Sequence, residues 1–232
     1  MALYTIADLH LACGVAKPMD VFGGRWEGYM DKIAQHWREC VGEDDTVVIG
    51  GDFSWGLNLA QAKADFAFLE RLPGRKLLLK GNHDLWWETV TKMNRFLEEN
   101  GFTRVAFLHN NAHACGDIAL CGTRGWPYDE DPAGHDAKIF RRELLRLEAS
   151  LKLGQAMGLR ETACFLHYPP LYMNFRCGEI LELLHRYGVR RCIYGHLHSE
   201  SRRWAVEGER EGIEFRLVSG DHVDFRPVLL AP

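Results

Sequence analysis

The chain has 232 residues, 47% of them hydrophobic and 26% charged, with a formal net charge of −4. That length supports a buried core and a single domain over 1–232, and the scattered lysines and arginines exclude a bulk basic face for nucleic acid. The seven cysteines, odd in number and without a Cys-x-x-Cys pair, read as buried small hydrophobes in a reducing compartment rather than a disulfide or zinc–thiolate framework.

Leu3 to Ala7 has the length of one strand and leads into Asp8-Leu9-His10, where extended spacing predicts that Asp8 and His10 share a side. No basic region, cleavage site or bilayer-length apolar run accompanies it, so the expected location is cytoplasmic. Arg25 to Cys40 carries Trp26, Tyr29, Ile33 and Trp37 at helical spacing, aromatics expected in the core. Thr46 to Ile49 predicts a buried strand that ends in Gly50-Gly51-Asp52. A helix over Leu57 to Leu72 follows, then a strand over Lys76 to Leu79 that delivers Gly81-Asn82-His83-Asp84. Trp86 to Glu98 reads as the next helix.

Short strands are expected at Val105 to Leu108 and Ile118 to Cys121, the second leading into 122–128. That segment combines glycine hinges, Arg124 and aromatic rings, and reads as either a solvated loop or a substrate-facing lid. Asp136 to Met157 predicts an amphipathic helix with Ile139, Leu144, Leu147 and Leu151 inward. A strand over Thr162 to Leu166 ends at His167, where Pro169 and Pro170 stop the ladder. After a short helix, Arg191 to Tyr194 is a strand ending in Gly195-His196-Leu197-His198. From Arg202 the pattern predicts hairpin-like strands at 203–206, 214–219 and 225–230, with 208–212 as a polar turn.

The strand ends therefore present Asp8, His10, Asp52, Asn82, His83, His167, His196 and His198. These nitrogen and oxygen donors, with no thiolate, suit Mn, Fe, Zn or Ni, and also Mg or Co, rather than a structural zinc knot. They exceed the needs of one ion, which points to two divalent metal ions roughly 3.5–4 Å apart.

The order Asp-x-His, Gly-Asp, Gly-Asn-His-Asp, His, Gly-His-x-His from Asp8 to His198 resembles the calcineurin-like metallophosphoesterase superfamily. The resemblance implies an α/β fold of two packed mixed β-sheets flanked by helices. It implies that Asp8, His10 and His198 hold one ion, that Asn82, His167 and His196 hold the other, and that Asp52 bridges them. His83 resembles the non-ligand histidine that donates to a phosphoryl oxygen or the leaving group, with Asp84 orienting it. The implied activity is hydrolysis of a phosphate mono- or diester of a small phosphorylated substrate by an activated water, with no membrane partner.

The protein phosphatases of this superfamily carry Gly-Asp-x-x-Asp-Arg-Gly, whereas Gly51-Asp52 here continues as Phe53-Ser54-Trp55-Gly56, which argues against that substrate class. Arg124 is the expected additional phosphate contact, with Tyr128 and His135 as weaker candidates. Asp221, His222 and Asp224 are expected either to support the metal shell or to form a turn. The competing function is a scaffold of the same fold that binds protein partners. Scaffolds can lose ligands or the histidine of the Asn-His-Asp turn, and this chain retains them all.

Overall fold

Strands whose successive residues are all buried need cover on both faces, and that requirement organises the molecule. The computed structural model describes residues 1–17, 19–127 and 135–232, apart from the side chain of His135. In chain order the elements are β1 (Leu3–Ile6), α1 (Tyr29–Cys40), β2 (Thr46–Ile49), α2 (Leu59–Glu70), β3 (Arg75–Leu78), α3 (Val90–Asn100), β4 (Val105–Phe107), β5 (Ala112–Cys115), β6 (Ile118–Thr123), α4 (His135–Ala156), β7 (Glu161–Leu166), β8 (Leu171–Tyr172), β9 (Phe175–Arg176), α5 (Gly178–Arg186), β10 (Arg191–Tyr194), β11 (Gly208–Arg210), β12 (Ile213–Leu217) and β13 (Val228–Ala231).

The first sheet has the order β13-β1-β2-β3-β4, parallel except for β13. The second runs β11-β12-β10-β7-β6-β5, parallel in its middle four strands with antiparallel β11 and β5 at its edges. The period of two splits each buried strand between two cores. In β2, Val47 and Ile49 pack with Trp37, Phe66 and Met93 on the helix side, while Val48 joins Leu77, Phe165 and Ile193 between the sheets. In β7 and β10, Cys164, Leu166, Cys192 and Tyr194 face the core under α4 and α5. The result is the expected α/β fold of two packed mixed sheets flanked by helices.

Asn58 and Thr89 cap α2 and α3 by accepting from the backbone nitrogens of Gln61 and Lys92. The Thr89 cap starts α3 after the Trp86-Trp87 pair, later than the periodicity suggested. Likewise Gly28, in the left-handed conformation, separates a short turn over Gly24–Trp26 from α1. Trp86 is fully buried all the same.

Two expectations for the carboxyl-terminal region are corrected. Residues 208–210 form strand β11, while 199–204 form a short 3-10 helix that ends where a strand was expected. The last segment does not extend a hairpin, because β13 crosses to the other sheet and pairs with β1. Polar edge strands carry little apolar pattern, so periodicity does not report them. All seven cysteines are free and five are buried, while Cys13 is exposed and Cys40 half-buried. Tyr128, the last residue of the proposed lid segment, and the side chain of His135 lie outside the described residues. Among the described residues, no helix is long and apolar enough to cross a membrane.

The sheets meet at one edge. Ala7 donates to the Val218 carbonyl and accepts from the Gly220 nitrogen, both at 2.8 Å, pinning the carboxyl end of β1 to that of β12. The loops leaving β1, β2, β3, β7 and β10 thereby open on a common rim.

Candidate metal centre

After β1 the chain does not stay extended. Asp8 (φ 55°) and His10 (φ 45°) adopt the left-handed conformation, as do Asp52 (φ 52°) and His196 (φ 70°). Such backbone costs about 1–3 kcal/mol per residue and persists where surrounding bonds over-determine it. Here the loops after β1 and β2 are laced together: the nitrogens of Asp8, His10 and Leu11 each donate to the carbonyls of Gly51, Asp52 and Phe53, all at 2.9 Å. Asp8 and His10 do meet, as expected, but through this kinked lacing rather than through strand alternation.

Ligand atoms of Asp8, His10 and Asp52 lie within 4.8 Å of one another, and all three residues are buried. Asp8 Oδ1, His10 Nε2 and Asp52 Oδ2 are buried without a hydrogen-bond partner among the described residues. Leaving such atoms unsatisfied costs about 1–3 kcal/mol each, more for charged groups. A divalent cation among them would satisfy all three, so this donor set fits a metal.

Asp52 Oδ2 also lies 3.5 Å from His167 Nε2 on one side and 3.7 Å from His10 Nε2 on the other. Beyond His167, Asn82 Oδ1 sits 2.7 Å from His167 Nε2 and 3.0 Å from His196 Nδ1. His167 Nδ1 faces the Gly50 carbonyl at 3.1 Å, an outer contact that orients a ligating ring. His198 is half-buried with its ring centroid 5.5 Å from that of His10. Asp52 thus stands between two groups of donors, one with Asp8, His10 and His198, the other with Asn82, His167 and His196.

Burial dominates the electrostatics. It pushes the Asp8 carboxyl up to about 7 and, with Asp84 nearby, Asp52 well above the usual range. It holds His10 well below its ordinary value, takes His196 down to about 3 and His83 to about 4. These imidazoles are therefore neutral near pH 7, the form that offers a ring nitrogen to a metal.

The structure replaces the expected role of Asp84. Its fully buried carboxylate accepts five N–H donors: Asp52 N (2.9 Å) and Gly81 N (2.7 Å) at Oδ2, with Phe53 N (2.9 Å), Ser54 N (3.2 Å) and Trp86 Nε1 (2.9 Å) at Oδ1. These bonds use up its oxygens, and none goes to the His83 ring. Asp84 ties the β2 loop to the β3 loop. Asp65 repeats the device one turn on, accepting from Cys13 N at 2.7 Å and from the Ser54 hydroxyl. Gly81 completes the packing, since a Cβ there would overlap the Asp52 carboxylate.

His83 is held through its backbone, which donates to Asp52 Oδ1 at 2.8 Å. Its imidazole makes no hydrogen bond among the described residues and rests against Trp55, with ring centroids 4.6 Å apart. Trp55 also stacks on His10 at 4.7 Å and carries Lys17 Nζ 3.7 Å from its ring centre. This wall went unnoticed in the sequence beyond the departure that Trp55 represents.

Arg124 is half-buried, its guanidinium 4.5 Å from the Trp126 ring centre and its buried Nε without a partner among the described residues. The Arg124 carbonyl accepts from His167 N (3.1 Å) and Tyr168 N (3.0 Å), which fixes it beside the β7 loop. Asp221 is buried, accepts from Ser199 N at 2.7 Å and braces the segment after His198. His222 instead faces Glu207 at 3.4 Å, and the Asp224 carbonyl faces His36 at 3.0 Å.

Loops from two packed mixed sheets that bring buried carboxylate, imidazole and amide groups together define an α/β protein with a candidate metal centre at its strand ends. The chain belongs to the calcineurin-like phosphoesterase family, hydrolases of phosphoester bonds, whose sequence profile matches residues 1–200. Gene 66 protein of Mycobacterium phage D29 is 40% identical over 124 residues, covering 44% of this chain and 60% of the phage protein, so the match spans less than two thirds of that relative. Among solved structures, phosphopantetheinyl hydrolase from Mycobacterium tuberculosis superposes with a TM-score of 0.62 at 15% identity, over 100% of this chain and 96% of that one. A protein of unknown function from Aquifex aeolicus gives 0.50 at 18% identity, over 98% and 95%. At these identities the likeness is one of fold.

Proposed function

We propose that the chain is a metal-dependent phosphoesterase that hydrolyses a phosphate mono- or diester at a dinuclear centre. The observation that supports this reading most is the convergence of the buried Asp8, His10 and Asp52, each with a side-chain atom that has no hydrogen-bond partner among the described residues. Asp8, His10 and His198 would hold one ion, Asn82, His167 and His196 the other, and Asp52 would serve both. Mn, Fe, Zn or Ni suits these donors best, and Mg or Co is accepted. Bound there, divalent ions supply Lewis acidity for the phosphoryl oxygens and a water acidic enough to serve as nucleophile near neutral pH.

The remaining work falls to the chain. His83, whose neutral ring makes no hydrogen bond among the described residues, offers a ring N–H to a phosphoryl or leaving-group oxygen. Trp55 fixes that ring and excludes water from one side of it. Arg124, whose buried Nε has no partner among the described residues, turns its guanidinium to the anionic substrate. Asp84 keeps Asp52, Asn82 and His83 in register without touching substrate. The reading is of one catalytic domain over 1–232, acting on a small phosphorylated compound in the cytoplasm.

The test is hydrolysis of an aryl phosphate monoester and its matching diester after chelation and return of Mn, Ni, Zn or Mg, beside an Asp52→Asn control. Metal-restored turnover that the control lacks is the expected result. Folded protein that binds ions yet cleaves neither ester would overturn it.

A further inference from the structure

A cavity of about 240 Å³ opens beside the metal centre and shares His196 with it. Its other walls include Tyr168, Pro169, Tyr172, Leu197 and Trp204, contributed by the segments that follow β7 and β10. Among the described residues lining it there is no carboxylate, lysine or arginine. The Tyr168 ring stands at the boundary, its centroid 4.4 Å from that of His196 and 5.2 Å from that of His167. Arg124, whose carbonyl accepts from Tyr168 N, flanks this boundary through Trp126, whose ring lies 6.2 Å from that of Tyr168.

The lining is flat-faced and rigid. Tyr172 is anchored by a bridge to Ala205, and the Trp204 carbonyl accepts from Met173 N at 2.9 Å, so the two ring-bearing segments are bonded to each other across the pocket. Drug-sized ligands fill about 300–1,000 Å³, so this smaller space suits one or two fused rings and not a whole nucleotide. Aromatic walls favour another π-face, and the absence of a charged group among the described lining residues favours an uncharged one; the Arg203 guanidinium, 5.7 Å from the Trp204 ring centre, is not part of the lining.

We propose that this pocket seats a planar, uncharged aromatic ring belonging to the organic part of the phosphate ester. The proposal rests on the esterase reading for the position of the phosphoryl group, and it adds the chemical class of what the phosphate is attached to. The phosphoryl group lies at the centre bounded by Asp52 and Arg124, and the ring extends past His196 between Tyr172 and Trp204.

The experiment is calorimetric titration of the metal-loaded protein with 2-naphthylmethylphosphonate and with ethylphosphonate, which carry the same anionic head and cannot be hydrolysed. The naphthyl compound is expected to bind roughly tenfold tighter, the scale of a stacked aromatic contact. In Trp204→Ala and Tyr172→Ala that ratio falls toward one, and Trp204→Phe restores most of it. Equal affinities in the wild type, or a ratio that survives both alanine variants, would overturn the proposal. Turnover of the corresponding phosphate esters separates the two readings: a kept binding preference without hydrolysis leaves the ring subsite standing and rejects the esterase, whereas hydrolysis of both esters without preference does the reverse.

Discussion

Asp84 Oδ2 accepts the backbone N–H of Asp52 at 2.9 Å, so a carboxylate from one strand end positions the carboxylate of another. Because the same oxygen also takes Gly81 N at 2.7 Å, the two loops that carry Asp52, Asn82 and His83 move as one body. The loops of the candidate centre are therefore held by backbone donors that converge on one fully buried acid.

Asp84→Asn places an amide donor among N–H groups that need acceptors. Unsatisfied buried donors cost about 1–3 kcal/mol each, and the loss of a charged acceptor more, so a destabilisation of roughly 3 kcal/mol is expected. Thermal melting would show it as a fall of about 6–12 °C. Metal affinity measured by calorimetry should fall as well, because Asp52 loses its anchor.

His83→Ala should behave in the opposite way. The ring makes no hydrogen bond within the described residues, so the melting temperature and metal content should be close to wild type. Turnover should drop by about 10²–10⁴-fold, the usual span for a positioned proton-transfer group. A variant that retains full kcat on every ester would remove His83 from the chemistry.

Removing metal should expose the strain stored among Asp8, His10 and Asp52. Chelation is expected to lower the melting temperature, and Asp52→Asn to stabilise the metal-free protein by about 1–2 kcal/mol, because the carboxyl that burial makes costly to ionise is gone. The same variant should no longer gain stability when Mn or Zn is added. Melting curves with and without metal, on both proteins, read out this trade between function and stability.

Lys76 offers a test of the core away from the site. It is fully buried on β3, its ammonium group reaches the Leu72 carbonyl, and burial brings its pKa down to about 8. A lysine whose folded value lies below its unfolded one binds fewer protons when folded, so its contribution to stability rises with pH between about 8 and 10.5. Below pH 8 the full cost of the buried charge is present. Lys76→Met should therefore be more stable than wild type near pH 7 by about 1–2 kcal/mol, with the difference shrinking as pH rises past 8. Denaturant titrations at pH 7 and pH 9.5 would check the sign.

Much of the site was legible in the sequence because chemistry and fold leave local marks. Apolar runs such as Leu77-Leu78-Leu79 mark strands covered on both faces, and the residues just after them fall at a sheet edge whatever the rest of the chain does. That places Asp8, Asp52, Asn82, His167 and His196 on one rim before any contact is known. The two-sheet architecture came from the order of the motifs rather than from periodicity, and the helices came from the spacing of Trp37, Phe66 and Leu147.

What the tertiary structure alone decided are the relations between segments far apart in the chain. Adjacency in sequence pairs Asp84 with His83, but its donors come from 30–32 residues upstream as well as from Gly81 and Trp86. Trp55 became a wall of the site only when the β2 loop folded over His10 and His83, and the aromatic pocket exists only because the segments after β7 and β10 lie side by side. β13 paired with β1 instead of extending a hairpin because the open edge of the first sheet offered an unpaired ladder. A sequence specifies which groups stand at the ends of strands. Which of them share a proton, a stacking face or a cation depends on distances that only the packed sheets fix.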